Sequence, residues 1–303
     1  MRVLDIPAPL QRKMLATHGV AAQRWLEVLP GNLARLRERW RFTPGQPFPN
    51  LSYAYVAAAT LADGSPVVFK AQPPHMESLS GTVALRTWNG RGSVRLLDAD
   101  AESGFELLER VYPGTTAEMV AEDEATLALL ATMPSLWVDP PDDPTLITME
   151  RWAKELFEYP VRFGETGPLP LELVVEAAEV FREMIASSPS PKLLHGDLHH
   201  SNILSATRAP WLAIDPKGLL GDPAFEPSAM FFNPRARLRT EADIPGLVRR
   251  RLDLIVSATG LDRHRVAAWG FAQATLSVCW SATAGSPVPA DVLDVARALR
   301  ALM

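Results

Sequence analysis

The chain is poor in several residue types and patterns, and each shortage excludes a class of protein. Cys279 is its only cysteine, so neither an internal disulfide nor a cysteine zinc site can form. The net charge is −5 and no basic block occurs, which excludes the phosphate-tracking surface of a nucleic-acid-binding protein. Its apolar runs are short and interrupted by charges, and residues 1–20 have no continuous apolar core. We therefore expect a cytoplasmic protein without a membrane span or signal peptide.

The composition that remains is that of a folded chain with two lobes. Apolar residues make up 47% of the 303 residues and charged residues 21%, enough apolar surface to bury a large core. A single compact domain rarely exceeds about 250 residues, so two units are expected. We place the boundary near residue 110, with one lobe over residues 1–110 and the other over residues 111–303.

The hydrophobic pattern predicts a small antiparallel sheet with helices first, and mostly helices afterwards. Residues 8–40 have helical periodicity, interrupted by Pro30-Gly31. A β-hairpin is expected over residues 52–70, because Asp63-Gly64 separates two apolar segments. The remaining predicted elements are helices over 76–88, 115–132, 146–158, 170–187, 243–258, 262–284 and 290–302, and strands over 93–97, 105–108, 202–205 and 211–214. The fold class is therefore α+β.

The strongest chemical signal is the segment His195-Gly-Asp197-Leu-His-His-Ser-Asn202. Its spacing matches the pattern His-x-Asp-Leu-x-x-x-Asn of the protein-kinase catalytic loop. In that loop the aspartate accepts the proton of an attacking hydroxyl, and the asparagine binds Mg²⁺ through its amide oxygen. Asp197 is thus the candidate catalytic base and Asn202 a candidate metal ligand. The alternative is an ordinary surface loop with a helix-capping aspartate.

A second carboxylate follows at Asp215, at the end of the apolar strand that begins at Trp211. Kinases place a metal-binding aspartate after the catalytic-loop hairpin in this way, although here Pro216 follows it instead of phenylalanine. Two oxygen ligands together with substrate phosphates suit Mg²⁺. A turn residue without a ligand is the alternative for Asp215 taken alone.

The nucleotide side of such a site gives weaker signals. Lys70 ends an apolar strand and is one of only five lysines, so it is the candidate for binding phosphate, against the alternative of a snorkelling surface residue. No glycine-rich loop precedes it, and Ser52 is the remaining candidate for a phosphate contact. Glu109 and Val111 lie at the strand-to-linker crossing, where their backbone groups could bind adenine. A plain linker would look the same there.

With these residues in hand, the chain resembles the aminoglycoside/hydroxyurea antibiotic-resistance kinases, most closely their streptomycin 6-phosphotransferase branch. The similarity covers almost the whole length, and the segments around Asp197 and Asp215 are the specific ones. Corroborating segments are Trp25…Leu29-Pro30, Asp63-Gly64…Lys70, residues 84–97, Leu108-Glu-Arg110, Gly221-Asp-Pro-Ala-Phe-Glu226 and residues 272–281.

The resemblance implies a bilobal protein-kinase-like fold, ATP with Mg²⁺, and phosphorylation of a hydroxyl on a small, cationic substrate. Such a substrate needs carboxylates around it, and Asp197 and Glu226 are the candidates. Two alternatives stay open: a kinase for another small alcohol, such as a sugar, an amino sugar or hydroxyurea, and a catalytically impaired nucleotide-binding protein.

One departure from the family pattern concerns the helix after Lys70. Related kinases carry a glutamate there, and the aligned position here is Gly81. Glu77 lies one helical turn earlier, on the same face, so we expect it to be a partial substitute as the partner of Lys70. The alternative is that Lys70 lacks an orienting partner and that activity is impaired.

Overall fold

The computed structural model describes residues 6–49 and 51–303, and its first part is a helix packed on a five-stranded antiparallel sheet. The sheet order is β1-β2-β3-β5-β4. Its elements are α1 (Ala8–Trp40), β1 (Phe42–Pro47), β2 (Tyr55–Leu61), β3 (Pro66–Ala71), α2 (Met76–Trp88), β4 (Leu96–Asp100) and β5 (Phe105–Glu109).

The alternation of β3 decides which way Lys70 points. Val67, Phe69 and Ala71 are buried and face α1, in one hydrophobic cluster with Trp25 and Leu36. Because successive side chains of a strand point to opposite faces, Lys70 projects from the other face of the sheet. This face looks towards the rest of the molecule, where Lys70 contacts residues far along the chain.

The second part is mostly helical, with two small three-stranded sheets of order β10-β9-β6 and β7-β11-β8. Its strands are β6 (Pro113–Thr116), β7 (Ile147–Thr148), β8 (Lys192–Leu194), β9 (Ile203–Ala206), β10 (Trp211–Ala213) and β11 (Leu219–Gly221). Its helices are α3 (Glu122–Thr132), α4 (Met149–Trp152), α5 (Lys154–Phe163), α6 (Leu171–Ala186), α7 (Arg235–Leu238), α8 (Ile244–Thr259), α9 (Arg263–Thr283) and α10 (Ala290–Arg300).

Helix α9 forms the centre of this second part and is buried along most of its length. Trp269 packs edge-on against Phe181 and Phe225, with ring centroids 5.0 and 5.3 Å away. The larger hydrophobic cluster extends from here to Ala84, Leu85 and Trp88 of α2. Helix α2 therefore belongs to the first part by sequence but packs its apolar face on the second.

Several sequence expectations differ from the structure, and the predicted helix over 146–158 is a short strand, β7, followed by α4 and α5. Pro30-Gly31 does not interrupt α1, and the one non-helical residue inside it is Gly19, with φ 52°. A proline costs a helix one hydrogen bond, but the buried stripe of α1 against the sheet continues past it. Residues 113–116 form a strand, so helix α3 begins only at Glu122. Strand β1, which the pattern did not predict, pairs with β2.

Within the described residues, none of the helices is both long and apolar enough to cross a membrane.

Candidate active site

The segment that begins at His195 is held from behind by a buried carboxylate. Glu226 accepts hydrogen bonds from the backbone N–H groups of His195 (2.7 Å) and Gly196 (2.9 Å). Its side chain is only 1% exposed, and burial raises the pKa of Glu226 to about 7 despite these two donors. Both carboxylate oxygens face the loop backbone. The structure thus places Glu226 behind the loop, not on the accessible surface where a substrate would bind, and that expected role is corrected to loop support.

Asp197 and Asn202 are joined within the same loop. The Asn202 side-chain amide donates to the Asp197 backbone carbonyl at 2.9 Å. The Asp197 carboxylate is 31% exposed, and one of its oxygens lies 3.6 Å from His199 Nε2. Burial raises the pKa of Asp197, while His199 and Lys217 act in the opposite direction. The loop therefore presents a partly accessible carboxylate that is poised to accept a proton.

The turn after β10 brings Asp215 next to this loop. Ile214 N–H donates to the Asn202 carbonyl at 2.9 Å, and His195 Nε2 lies 2.8 Å from the Ile214 carbonyl. Burial lowers the pKa of His195 to about 3, so its ring is neutral and Nε2–H is the donor. Asp215 itself has φ 57°, a left-handed conformation that turns its half-exposed side chain towards the first part of the molecule.

Lys70 reaches Asp215 from the sheet. Its Nζ lies 2.7 Å from Asp215 Oδ1 and 3.4 Å from Glu106 Oε2. Burial alone would raise the pKa of Asp215, but Lys70 and Lys217 hold it well below its usual range. Asp215 is thus an anion at neutral pH, the form in which a carboxylate binds a metal ion.

Glu106, and not Glu77, is the carboxylate that orients Lys70 alongside Asp215. Glu106 is the direct cross-strand neighbour of Lys70 in the β3–β5 ladder, so the two side chains share one face of the sheet. Thr82 of α2 donates to its second oxygen at 2.7 Å. Our expectation that Glu77 takes this role is wrong, because its carboxylate pairs with Lys217 at 3.1 Å.

Gly81 explains why α2 carries no glutamate at the aligned position. A Cβ built on Gly81 would lie 2.3 Å from the backbone oxygen of Pro216, so any side chain there would displace the turn that holds Asp215. The Ser80 hydroxyl donates to the Gly218 carbonyl in the same turn. Two small residues thus let the helix contact the turn directly, and an ion pair with a helix glutamate is replaced by one with a strand glutamate.

Sequence reasoning missed Lys217 and Glu106 as parts of this site. Lys217 had a signal, since it is one of five lysines and lies two residues after Asp215. No sequence signal marked Glu106, because its position opposite Lys70 depends on the register of the two strands.

The remaining candidates on the nucleotide side are placed less tightly. The side chain of Glu109 binds Arg208 Nε at 2.7 Å and the backbone N–H of Arg95 at 2.9 Å, which leaves only its main chain for a ligand. Val111 is buried and follows β5. Ser52 is exposed and directly precedes the bend that leads into β2. Among the contacts described, none joins these three residues to the cluster around Asp215.

The oxygen donors around Asp215 suit Mg²⁺, which protein side chains need not coordinate completely. Over residues 6–49 and 51–303, no group of three or more His, Cys, Asp or Glu side chains could hold a metal ion. One carboxylate at Asp215 and one amide oxygen at Asn202 lie on adjoining turns, and Mg²⁺ commonly takes few protein ligands plus phosphate oxygens and water.

The class of protein is that of the protein-kinase-like phosphotransferases. Its features here are an α+β fold and a lysine on the sheet that pairs with a carboxylate following the loop of Asp197. Solved structures agree on the fold. Choline kinase LicA from Streptococcus pneumoniae covers 90% of this chain and 99% of its own length, with 12% identity and a TM-score of 0.58. A structure of LicA in complex with AMP gives a TM-score of 0.60 at 11% identity, covering 91% of this chain and 98% of its own.

Within that class, the chain belongs to the aminoglycoside/hydroxyurea antibiotic resistance kinase family, whose model matches residues 39–285. The streptomycin 6-kinase of Streptomyces glaucescens is 33% identical over 303 residues, covering 99% of this chain and 98% of its own length. The hydroxyurea phosphotransferase of Kitasatospora aureofaciens is 36% identical over 294 residues, covering 93% and 82%. The family and the bilobal kinase-like fold expected from the sequence are confirmed.

Proposed function

We propose that this protein is an ATP-dependent kinase that phosphorylates a hydroxyl group of a streptomycin-like aminoglycoside. The observation that carries the proposal is the 2.7 Å contact between Lys70 and Asp215, which brings the sheet lysine to the metal-binding turn beside Asp197 and Asn202. Relatives named streptomycin 6-kinase support the acceptor.

In the proposed reaction each residue has one task. Asp197 accepts the proton of the acceptor hydroxyl, and Lys70 binds phosphate oxygens of the nucleotide. Asn202 and Asp215 hold Mg²⁺, which when bound neutralises charge on the phosphates. The backbone of Glu109 and Val111 would bind the adenine, and Ser52 a phosphate. Catalysis then depends mainly on positioning and charge, since phosphoryl transfer needs little covalent chemistry from the protein.

The proposed tasks also divide between the two lobes. Residues 1–110 would form the nucleotide-binding lobe, and residues 111–303 would carry the catalytic loop and the acceptor site. The separate hydrophobic cluster of α1 and the sheet supports this assignment. Because ATP is a cytoplasmic metabolite, the proposed reaction places the enzyme in the cytoplasm. A polycationic acceptor would be drawn to the exposed part of Asp197.

The ion pairs of Lys70 argue against the alternative of an impaired nucleotide-binding protein. That alternative rests on the missing helix glutamate and the missing glycine-rich loop, and Glu106 supplies the charge of the missing glutamate from the neighbouring strand. Hydroxyurea remains the second candidate acceptor, because the relative with 36% identity is a hydroxyurea phosphotransferase.

A direct test incubates the purified protein with Mg²⁺–ATP and separate acceptors: streptomycin, a second aminoglycoside, hydroxyurea and choline. ADP release is followed together with the mass of each product. We expect phosphorylated streptomycin, formed about 10²–10⁴-fold more slowly by the Asp197→Asn variant. Phosphorylated hydroxyurea with unmodified streptomycin would favour the second candidate. ADP release that no acceptor stimulates would contradict both.

A further inference from the structure

Lys217 lies where the turn after β10, helix α2 and the catalytic loop meet. Its backbone N–H donates to the His195 carbonyl at 2.8 Å, which ties it to the start of the loop. The next residue, Gly218, has φ 72°, and a Cβ there would lie 2.5 Å from the Ser80 carbonyl of α2. The backbone on both sides of Lys217 is therefore fixed, and the side chain, 23% exposed, reaches Glu77 of α2.

Carboxylates surround the ammonium group of Lys217. Glu77 Oε2 lies 3.1 Å from Nζ, and Asp197 Oδ2 lies 3.9 Å from it. Burial would lower the pKa of Lys217, but the charges of Glu77, Asp215 and Asp197 together raise it. The geometry thus places an ammonium group beside the carboxylate assigned as the base.

Two lysines then flank the reacting region from different directions. Lys70 pairs with Asp215 and Glu106 on the sheet side, whereas Lys217 pairs with Glu77 and approaches Asp197 on the loop side. Among the described residues, Lys217 is the one lysine or arginine within ion-pair distance of Asp197. Charge spreads over three equatorial oxygens when a phosphoryl group is transferred, so a cation next to the base meets that charge as it develops.

We propose that Lys217 is a further catalytic residue, which binds the γ-phosphate of the nucleotide while that group is transferred to the acceptor oxygen beside Asp197. The inference rests on the proposed function. In this step a bond forms between the acceptor oxygen and phosphorus, and the bond from phosphorus to the β–γ bridging oxygen breaks. The electron pair leaves with ADP, and the hydroxyl proton passes to Asp197.

Binding of nucleotides with and without a γ-phosphate tests this role without turnover. Calorimetric titrations compare ADP with a non-hydrolysable ATP analogue, both with Mg²⁺, on the wild type and on Lys217→Met. We expect the variant to weaken the analogue about 10-fold relative to ADP, the usual value of a hydrogen bond to a charged group. With an active acceptor, kcat should fall by about 10²–10³, as for loss of one transition-state donor.

Two further variants separate charge from folding. Lys154→Met removes an exposed lysine whose one ion pair among the described residues is with Glu158, at 3.9 Å, and it should leave the affinity for both nucleotides unchanged. Lys217→Arg keeps the charge, so its ratio of dissociation constants for ADP and the analogue should stay within about 3-fold of the wild-type ratio. Because both nucleotides are measured on one preparation, a loss of folded protein would change both alike.

An unchanged ratio of the two dissociation constants in Lys217→Met, or equal weakening of both nucleotides, would overturn the role of Lys217 and leave it a structural ion pair. Failure of the proposed function looks different. In that case the wild type binds both nucleotides but phosphorylates no acceptor, while the ratio still reports on Lys217.

Discussion

The two sides of the candidate site differ in how firmly hydrogen bonds and burial hold their residues. On the catalytic side, Glu226 and the Ile214–Asn202 and Lys217–His195 backbone bonds join the loop and the following turn. On the nucleotide side, residues 51–54 are half-buried or exposed, and Tyr53 is 53% exposed with Lys13 Nζ 4.0 Å from its ring centroid. The candidate catalytic loop is thus held by buried hydrogen bonds, whereas the segment proposed to contact the nucleotide is half-buried or exposed.

The largest effect should come from the tight side, at Asp197. Asp197→Asn keeps the shape and the Asn202 contact to the backbone, but it removes the proton acceptor. We expect kcat to fall by about 10²–10⁴, the usual range for a general base, with nucleotide affinity nearly unchanged. Steady-state rates and calorimetry check this, with the exposed Asp253→Asn as control. A variant with near-wild-type kcat would remove Asp197 from the role.

The next largest effect is expected at the two residues proposed to hold Mg²⁺. Asp215→Ala should abolish the gain in nucleotide affinity that Mg²⁺ gives, and Asn202→Ala should only reduce it, because a carboxylate neutralises metal charge and an amide does not. Titration of each variant with ATP, with Mg²⁺ and with a chelator, measures the difference. Equal losses in the two variants would speak against these ligand assignments.

The contact between α2 and the turn predicts a loss of stability at Gly81. Gly81→Ala places a methyl group against the Pro216 carbonyl. The steric cost of such overpacking is about 1–3 kcal/mol, whereas replacing glycine by alanine in a helix stabilises it by ~0.5–1 kcal/mol. Because the cost is larger, the free energy of unfolding should fall. Gly31→Ala in α1 is the matched control, since no atom lies within 4 Å of its Cβ, and it should be stabilised instead. Urea unfolding of both decides; a stabilised Gly81→Ala would refute the tight contact.

Glu226 offers a pH test of the buried support. Its pKa is raised from 4.5 to about 7 in the folded protein, so the native state binds more protons than the unfolded chain between those values. Stability from this group is present below about pH 4.5 and is lost as the pH rises through 7. Glu226→Gln cannot titrate and leaves one loop N–H without an acceptor, a cost of about 1–3 kcal/mol. The difference in unfolding free energy, wild type minus variant, should therefore be smaller at pH 8 than at pH 5.

The smallest effect is expected on the open side. Ser52→Ala removes an exposed hydroxyl, and one net hydrogen bond of about 0.5–1.5 kcal/mol corresponds to a rise in the KM for ATP of roughly 2–10-fold, with kcat unchanged. Comparison with Asp197→Asn in the same assay sharpens the contrast between the two sides. A fall in kcat as large as that of Asp197→Asn would show that the nucleotide loop is as tightly engaged as the catalytic loop.

The sequence by itself determined the family, the α+β class and the segments around Asp197, Asn202 and Asp215, because fixed spacing within a short loop survives in the linear order of residues. The alternation of buried residues along β3 also determined that Lys70 points away from α1. Only the tertiary structure decided its partner. Glu106 faces Lys70 through strand register, and Glu77 is drawn to Lys217 because α2 lies directly on the Pro216 turn at Gly81. These contacts join residues distant in the chain, and neither periodicity nor spacing encodes which of two nearby carboxylates a lysine will meet.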